Sequence, residues 1–128
     1  MSLIGICGGP GTGKATLASR VHAKVGGVVV HTDEFKKLPW GDQPSAIIAV
    51  VRANPQVTIV EGVTVARAVR KGLVVDALIA LMTTLVPINK GQQTMTRGLM
   101  TILQDVRHIP FVDIYQAEAY ILEYLVDV

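Results

Sequence analysis

The sequence is short of charge, of aromatic rings and of cysteine. Only 17% of its 128 residues are charged, against about 25% in an average globular chain. Twelve cations and ten acids leave a formal net charge of +2, and the longest basic run is the pair Lys36-Lys37. Such a distribution offers no electrostatic footprint to nucleic acid or to an anionic membrane. The single cysteine, Cys7, excludes a disulfide scaffold. No apolar run reaches the roughly 20 residues of a spanning helix. The longest, Ala77 to Ile88, is interrupted by Thr83, Thr84 and Pro87. No charged leader precedes Ser2-Leu3-Ile4-Gly5-Ile6, so the expectation is a cytoplasmic protein with a reduced thiol.

What is present is aliphatic. Hydrophobic residues make up 50% of the chain and the mean hydropathy is +0.44, which excludes intrinsic disorder. Nineteen valines and twelve glycines fit a buried parallel sheet with glycine-rich connections. The length is that of one domain, residues 1–128. Small domains bury a smaller share of their surface than large ones. Part of the apolar material is therefore expected outside, under a partner subunit.

The apolar pattern alternates between strand and helix periods. Leu3 to Cys7 reads as a first strand. Lys14 to Val25 carries Leu17, Ala18, Val21 and Val25 at helical spacing and stops at Gly26-Gly27. Val28 to His31 is a second strand. A polar loop from Lys36 to Pro44 follows, then Ser45 as N-cap of a helix over Ala46 to Arg52. Val57 to Val60 is the third strand, Thr64 to Lys71 a short helix, and Ala77 to Met82 the fourth strand. Thr94 to Val106 is an amphipathic helix in spite of Gly98. Ile109 to Ile114 is a fifth strand that Pro110 restricts to a start or an edge, and Gln116 to Val126 is a last helix. The fold class is α/β: three layers, α/β/α, around a mostly parallel sheet of about five strands.

One segment carries chemistry by its context. Gly8-Gly9-Pro10-Gly11-Thr12-Gly13-Lys14-Ala15-Thr16 falls directly after a strand and directly before a helix. Glycines let the chain wrap with its N–H groups pointing inward, around phosphate oxygens. The helix that starts at Lys14 adds the positive end of its dipole. Gly9, Pro10, Gly11, Thr12, Gly13, Lys14, Ala15 and Thr16 are thus the candidate nucleotide-binding residues, with Lys14 reaching the β- and γ-phosphates. The segment resembles the GGPGSGKGT loop of adenylate kinases and other nucleoside monophosphate kinases of the P-loop NTPase superfamily. In that family a small residue follows the lysine, threonine comes next, and Mg²⁺ is held largely through water. The resemblance implies that Ala15 is tolerated and that Thr16 takes the threonine's place beside phosphate and metal. The stretch is also similar to the GPPGTGKT loop of AAA-type ATPases, whose magnesium-binding threonine would fall at Ala15. That departure favours the kinase side.

Ligands of open α/β sheets bind beyond the carboxyl ends of the strands. Asp33 follows the second strand and Glu61 the third. If both strands flank the first, the two carboxylates converge on the phosphate site, to hold Mg²⁺ or take a proton from an acceptor hydroxyl. The segments resemble those of the uridine kinase, phosphoribulokinase and pantothenate kinase group, which has Asp-x-Phe after strand two and Glu-Gly after strand three. The resemblance covers roughly residues 1–82. It implies that Asp33 is a base or metal-organising acid, that Glu61 is a magnesium or acceptor ligand, and that Gly62 allows the acceptor's close approach. Thr16, Asp33 and Glu61 are therefore the metal candidates, and Lys14, Asp33, Glu61 and Arg97 the catalytic ones; Arg97 and Arg107 are the arginines available for a lid, and Arg97 reads either as a lid arginine or as a solvated helix-face residue.

The function these residues imply is transfer of the γ-phosphoryl of ATP to a small acceptor, with ATP and Mg²⁺ as cofactors. Two alternatives stand beside it. One is an ATPase or nucleotide-switch module in an assembly, reading Asp33 and Glu34 as metal-binding and water-activating acids. The other is a nucleotide-binding protein with little catalysis, motivated by Ala15. Trp40 is expected at the edge of the core, with stacking on a base or sugar as the alternative. His22 and His108 read as surface residues, His31 as a packed strand residue beside the site, with support of a site residue as the alternative, and Tyr120 and Tyr124 as a packing or interface stripe. The apolar excess concentrates in Thr94 to Val106 and Tyr120 to Val128, where a homo-oligomer interface, a dimer, is expected.

Overall fold

Strand β1 (Ile4–Gly8) is buried at every residue and lies in the middle of a five-stranded sheet. The computed structural model describes residues 3–125. β1 pairs in parallel with β3 (Val57–Glu61) on one side and β4 (Ala77–Leu81) on the other. β2 (Val28–His31) extends the sheet beyond β3, and β5 (Ile109–Phe111) beyond β4, both in parallel. The order is β2-β3-β1-β4-β5. Strand two therefore borders strand three rather than strand one, which corrects the expectation that strands two and three both flank the first.

This order decides where the helices go. The step from β1 to β2 runs toward one edge, and the later steps run back across the sheet. Right-handed crossovers then put the first helix on one face and the next three on the other. The core follows that division. Ile4, Ile6, Ile59 and Ile79 point to the face covered by α1 (Lys14–Val25) and α5 (Ile114–Tyr120), through Leu17, Ala18, Val21 and Ala117. Cys7, Val60, Leu78 and Ala80 point to the face covered by α2 (Gln43–Ala53), α3 (Val65–Lys71) and α4 (Lys90–Leu103). The alternation is the period-2 geometry of strands buried on both sides. The architecture is the expected three-layer α/β/α sandwich.

Several boundaries differ from the sequence reading, each for a local reason. α2 begins at Gln43, so Ser45 lies inside it. Pro44 stands in the first turn, where its fixed φ and missing N–H suit a helix start. α4 begins four residues early because Asn89 and Gln92 form a reciprocal capping box. β5 ends at Phe111, since the Asp113 side chain accepts from Tyr115 N and Gln116 N and caps α5 there. α5 ends at Tyr120 and continues as one π-type turn, Ile121–Leu125. The last three residues of the predicted final helix and apolar stripe, 126–128, lie outside the described residues.

The apolar residues of α4 turn mostly inward. Leu99 and Leu103 are buried, with Ile102 and Val106 packed against the same cluster, and Met95 and Met100 stay exposed. Near the carboxy end, Phe111, Tyr120 and Tyr124 stack in series with centroids 5.5 and 5.1 Å apart. Glu118, buried on α5, forms a hydrogen-bonded ion pair with Arg20 of α1 and clamps the two helices of that face.

Candidate active site at the carboxyl ends of the strands

The chain changes direction at β1, so the loops leaving the central strands diverge and open a crevice at their carboxyl ends. The glycine-rich loop between β1 and α1 forms its floor. Gly11 (φ +75°) and Gly13 (φ +90°) are left-handed, a conformation a side chain would strain. The loop closes on itself through Thr12, whose buried hydroxyl donates to Gly9 O at 2.9 Å. Gly13 is the N-cap of α1, and no side chain caps this helix. In contrast, Asn89 caps α4 and Asp113 caps α5. The first N–H groups of α1 have no intrahelical acceptors, and they face the crevice with the positive end of the helix dipole. Such an arrangement can hold an anion.

Lys14 folds back over the loop, its Nζ 3.2 Å from Gly9 O. Burial pushes the ammonium below the usual lysine range, and the carboxylates of Glu61 and Asp33 act against that shift. The two acids therefore share one electrostatic neighbourhood with Lys14, although β2 is not next to β1. Gly62 explains how. Its N–H donates to Ile6 O at 3.0 Å, fixing the end of β3 to β1. Its φ is +142°, and a Cβ there would overlap the Thr32 side chain. The missing side chain lets the single-turn helix Thr32–Phe35, which carries Asp33, close onto the end of β3.

Glu61 is buried and Asp33 exposed. Glu61 Oε1 lies 2.6 Å from His31 Nδ1, across paired positions of β3 and β2. The sequence places His31 beside the site, as a packed strand residue or as a support for a site residue, and only the register between two distant segments shows that its partner is Glu61. The structure also adds two walls to the crevice. Thr96 of α4 approaches Gly9 so closely that a Cβ there would lie 2.5 Å from its hydroxyl. Leu85 N donates to Gly11 O at 2.8 Å, so the β4–α4 connection runs over the loop with Leu85 and Val86 exposed. The signal was Gly9 itself, a loop glycine without a positive φ, which marks close approach.

The other predicted residues are scattered. Ala15 and Thr16 are exposed in the first turn of α1. Arg97 is exposed on α4 and donates to Thr94 Oγ1 of its own helix at 3.2 Å. Trp40 is not a core plug; it is 57% exposed and lies against Arg67. His22 and His108 bond backbone carbonyls of Gly27 and Val106. Among the described residues, no three His, Cys, Asp or Glu side chains gather as a ready-made metal site, and no helix is long and apolar enough to cross a membrane.

No protein-family model and no curated protein sequence matches the chain. Among solved structures it is similar to a shikimate kinase from Acinetobacter baumannii in complex with shikimate. The two share 12% identity with a TM-score of 0.60, over 96% of this chain and 92% of that one. The likeness shows the fold alone: a parallel five-stranded sheet between two helical layers, as in that shikimate kinase.

Proposed function

We propose that the protein is a P-loop kinase that moves the γ-phosphoryl of ATP to a small-molecule acceptor. The observation that carries this reading is the shared location of an uncapped helix N-terminus, a lysine folded on its loop, and two acids. In this reading the loop from Gly9 to Thr16 wraps the phosphates by its N–H groups. Lys14 neutralises charge on the β- and γ-oxygens. Asp33, exposed at the end of β2, takes the proton of the acceptor hydroxyl as its oxygen bonds to phosphorus and the bond to the β-phosphate oxygen breaks. Arg97, exposed on α4 next to Thr96, is the arginine that would neutralise charge on the transferred phosphate.

Two carboxylates without a third ligand suit Mg²⁺, which keeps several waters and takes one or two carboxylates plus phosphate oxygens. When bound it would polarise the phosphates. Thr16, Asp33 and Glu61 are the residues that would hold it, with Glu61 oriented by His31.

ATP consumption that rises with one compound in a panel of nucleosides, nucleotides and small metabolites, and disappears in Lys14→Ala, is the expected result. A panel with no acceptor-dependent turnover sinks the proposal. One observation favours a second reading, nucleotide binding with little catalysis: Ala15 leaves the position directly after Lys14 without a hydroxyl, where many P-loop proteins place a metal ligand, and the nearest hydroxyl is one residue on, at Thr16. ATP binding without turnover, with turnover appearing in Ala15→Ser, would select it.

A further inference from the structure

Between the β2–α2 loop, α3 and α4 lies a cavity of about 280 Å³, close to the small end of ligand pockets at about 300 Å³. Its walls are nearly all carbon, from Trp40, Val63, Met95, Leu99 and Ile102. Val63 stands two residues after Glu61, so the cavity borders the strand end that carries the buried acid.

Gly98 forms part of the wall. It sits inside α4, has no positive φ, and a Cβ there would meet nothing within 4 Å. A helix-interior glycine costs about 0.5–1 kcal/mol relative to alanine. Neither backbone geometry nor packing requires it here; the missing side chain leaves the cavity open.

Arg67 closes one side. Its guanidinium carbon lies 3.7 Å from the Trp40 ring centroid, and Nη2 donates to Trp40 O at 2.7 Å. Nη1 is buried without a hydrogen-bond partner. Among the described residues no acid pairs with this arginine, and it shares a second recess with Arg70 and Lys71. Burial, then the charge of Arg70, pushes the guanidinium below the usual arginine range. Nη1 is closed off, so an anion would meet the guanidinium where Arg67 lines the recess it shares with Arg70 and Lys71; a cation there, beside carbon walls, is complementary to an anion that carries an apolar body.

We infer that this cavity receives a small apolar molecule bearing one anionic group, with its body between Trp40 and α4 and its anion on Arg67. Resting on the kinase reading above, that molecule is the phosphoryl acceptor.

Trp40 is the only tryptophan in the chain, so its fluorescence reports the cavity in the absence of ATP. The full chain is titrated with 3-phenylpropionate, phenyl phosphate and the uncharged 3-phenylpropanol. A saturable blue shift is expected with at least one anion below about 1 mM, and the alcohol should bind at least about tenfold more weakly. The stronger of the two anions identifies the head group. Gly98→Leu, whose Cβ meets nothing and whose longer side chain would occupy the cavity, should weaken anion binding at least about tenfold and leave ATP binding unchanged. Arg67→Gln should abolish the preference for anions over the alcohol.

Equal binding of alcohol and anions, no response from any probe, or full binding in Gly98→Leu overturns the assignment. The kinase reading fails separately. Probe binding with no ATP turnover on any hydroxylated acid of this shape refutes the acceptor role. Turnover on a panel compound that leaves Trp40 fluorescence unmoved refutes the cavity alone.

Discussion

His31 Nδ1 lies 2.6 Å from Glu61 Oε1, joining the last residues of two paired parallel strands. Glu61 is buried while the His31 side chain is 45% exposed, so the histidine is the carboxylate's link to the edge of the crevice. His31→Ala leaves a buried acceptor without its partner, and such a loss costs about 1–3 kcal/mol. The urea midpoint should fall accordingly, and His31→Gln, which can still donate, should recover most of it. Equal midpoints for wild type and His31→Ala would show that the pair contributes nothing to stability.

Two glycines should respond in opposite directions. Gly62→Ala puts a methyl group into Thr32 at a φ of +142°, and strain with overpacking should cost about 2 kcal/mol or more. Gly98→Ala meets open space and should stabilise by about 0.5–1 kcal/mol. Thermal melts of both variants test the close approach at Gly62 and the open space at Gly98 together.

Cys7 sits buried in β1 with its thiol pushed up to about 12 from 9.0, by burial and against the pull of Lys14. The folded state therefore keeps a proton that the unfolded state loses. Its contribution to stability is complete below pH 9 and is lost as pH rises from about 9 toward 12. Comparing wild type with Cys7→Ala by urea unfolding across that window should show a steeper alkaline decline for wild type. Native protein at pH 8 should also resist thiol alkylation until it unfolds.

Lys14→Ala removes the ammonium that folds onto the glycine-rich loop. If the kinase reading holds, acceptor-dependent turnover should fall by at least about 10²–10³-fold. The circular dichroism of the variant should stay that of wild type, because Lys14 contributes no packing to either core cluster. Retained turnover would remove Lys14 from the mechanism.

Ala15→Ser adds a hydroxyl at an exposed position in the first turn of α1. Stability should change by less than about 0.5 kcal/mol. The concentration of Mg²⁺ that gives half-maximal ATP binding should fall if this position lies next to the metal. An unchanged magnesium requirement would place the metal away from residue 15.

Local signals were legible without coordinates. Runs such as Val28-Val29-Val30 and Val57-Thr58-Ile59-Val60 mark strands, and Leu17, Ala18 and Val21 mark one face of α1. Gly8 to Lys14 marks the candidate anion site, because its glycines and lysine act through neighbours in the chain. The Asn89 and Gln92 box was equally local, and reading it would have placed the start of α4.

Sequence by itself determined the strand and helix alternation, the glycine-rich loop between strand and helix, and the candidate acids, since each depends on residues within one turn or one strand. Only the tertiary structure decided that β2 lies outside β3, that Gly62 lets the Asp33 turn close on Glu61, and that His31 is the partner of Glu61. It also moved Trp40 from the core edge onto Arg67. These are contacts between segments some thirty residues apart, and they depend on strand register and helix layering, which follow from how the whole chain buries its apolar faces.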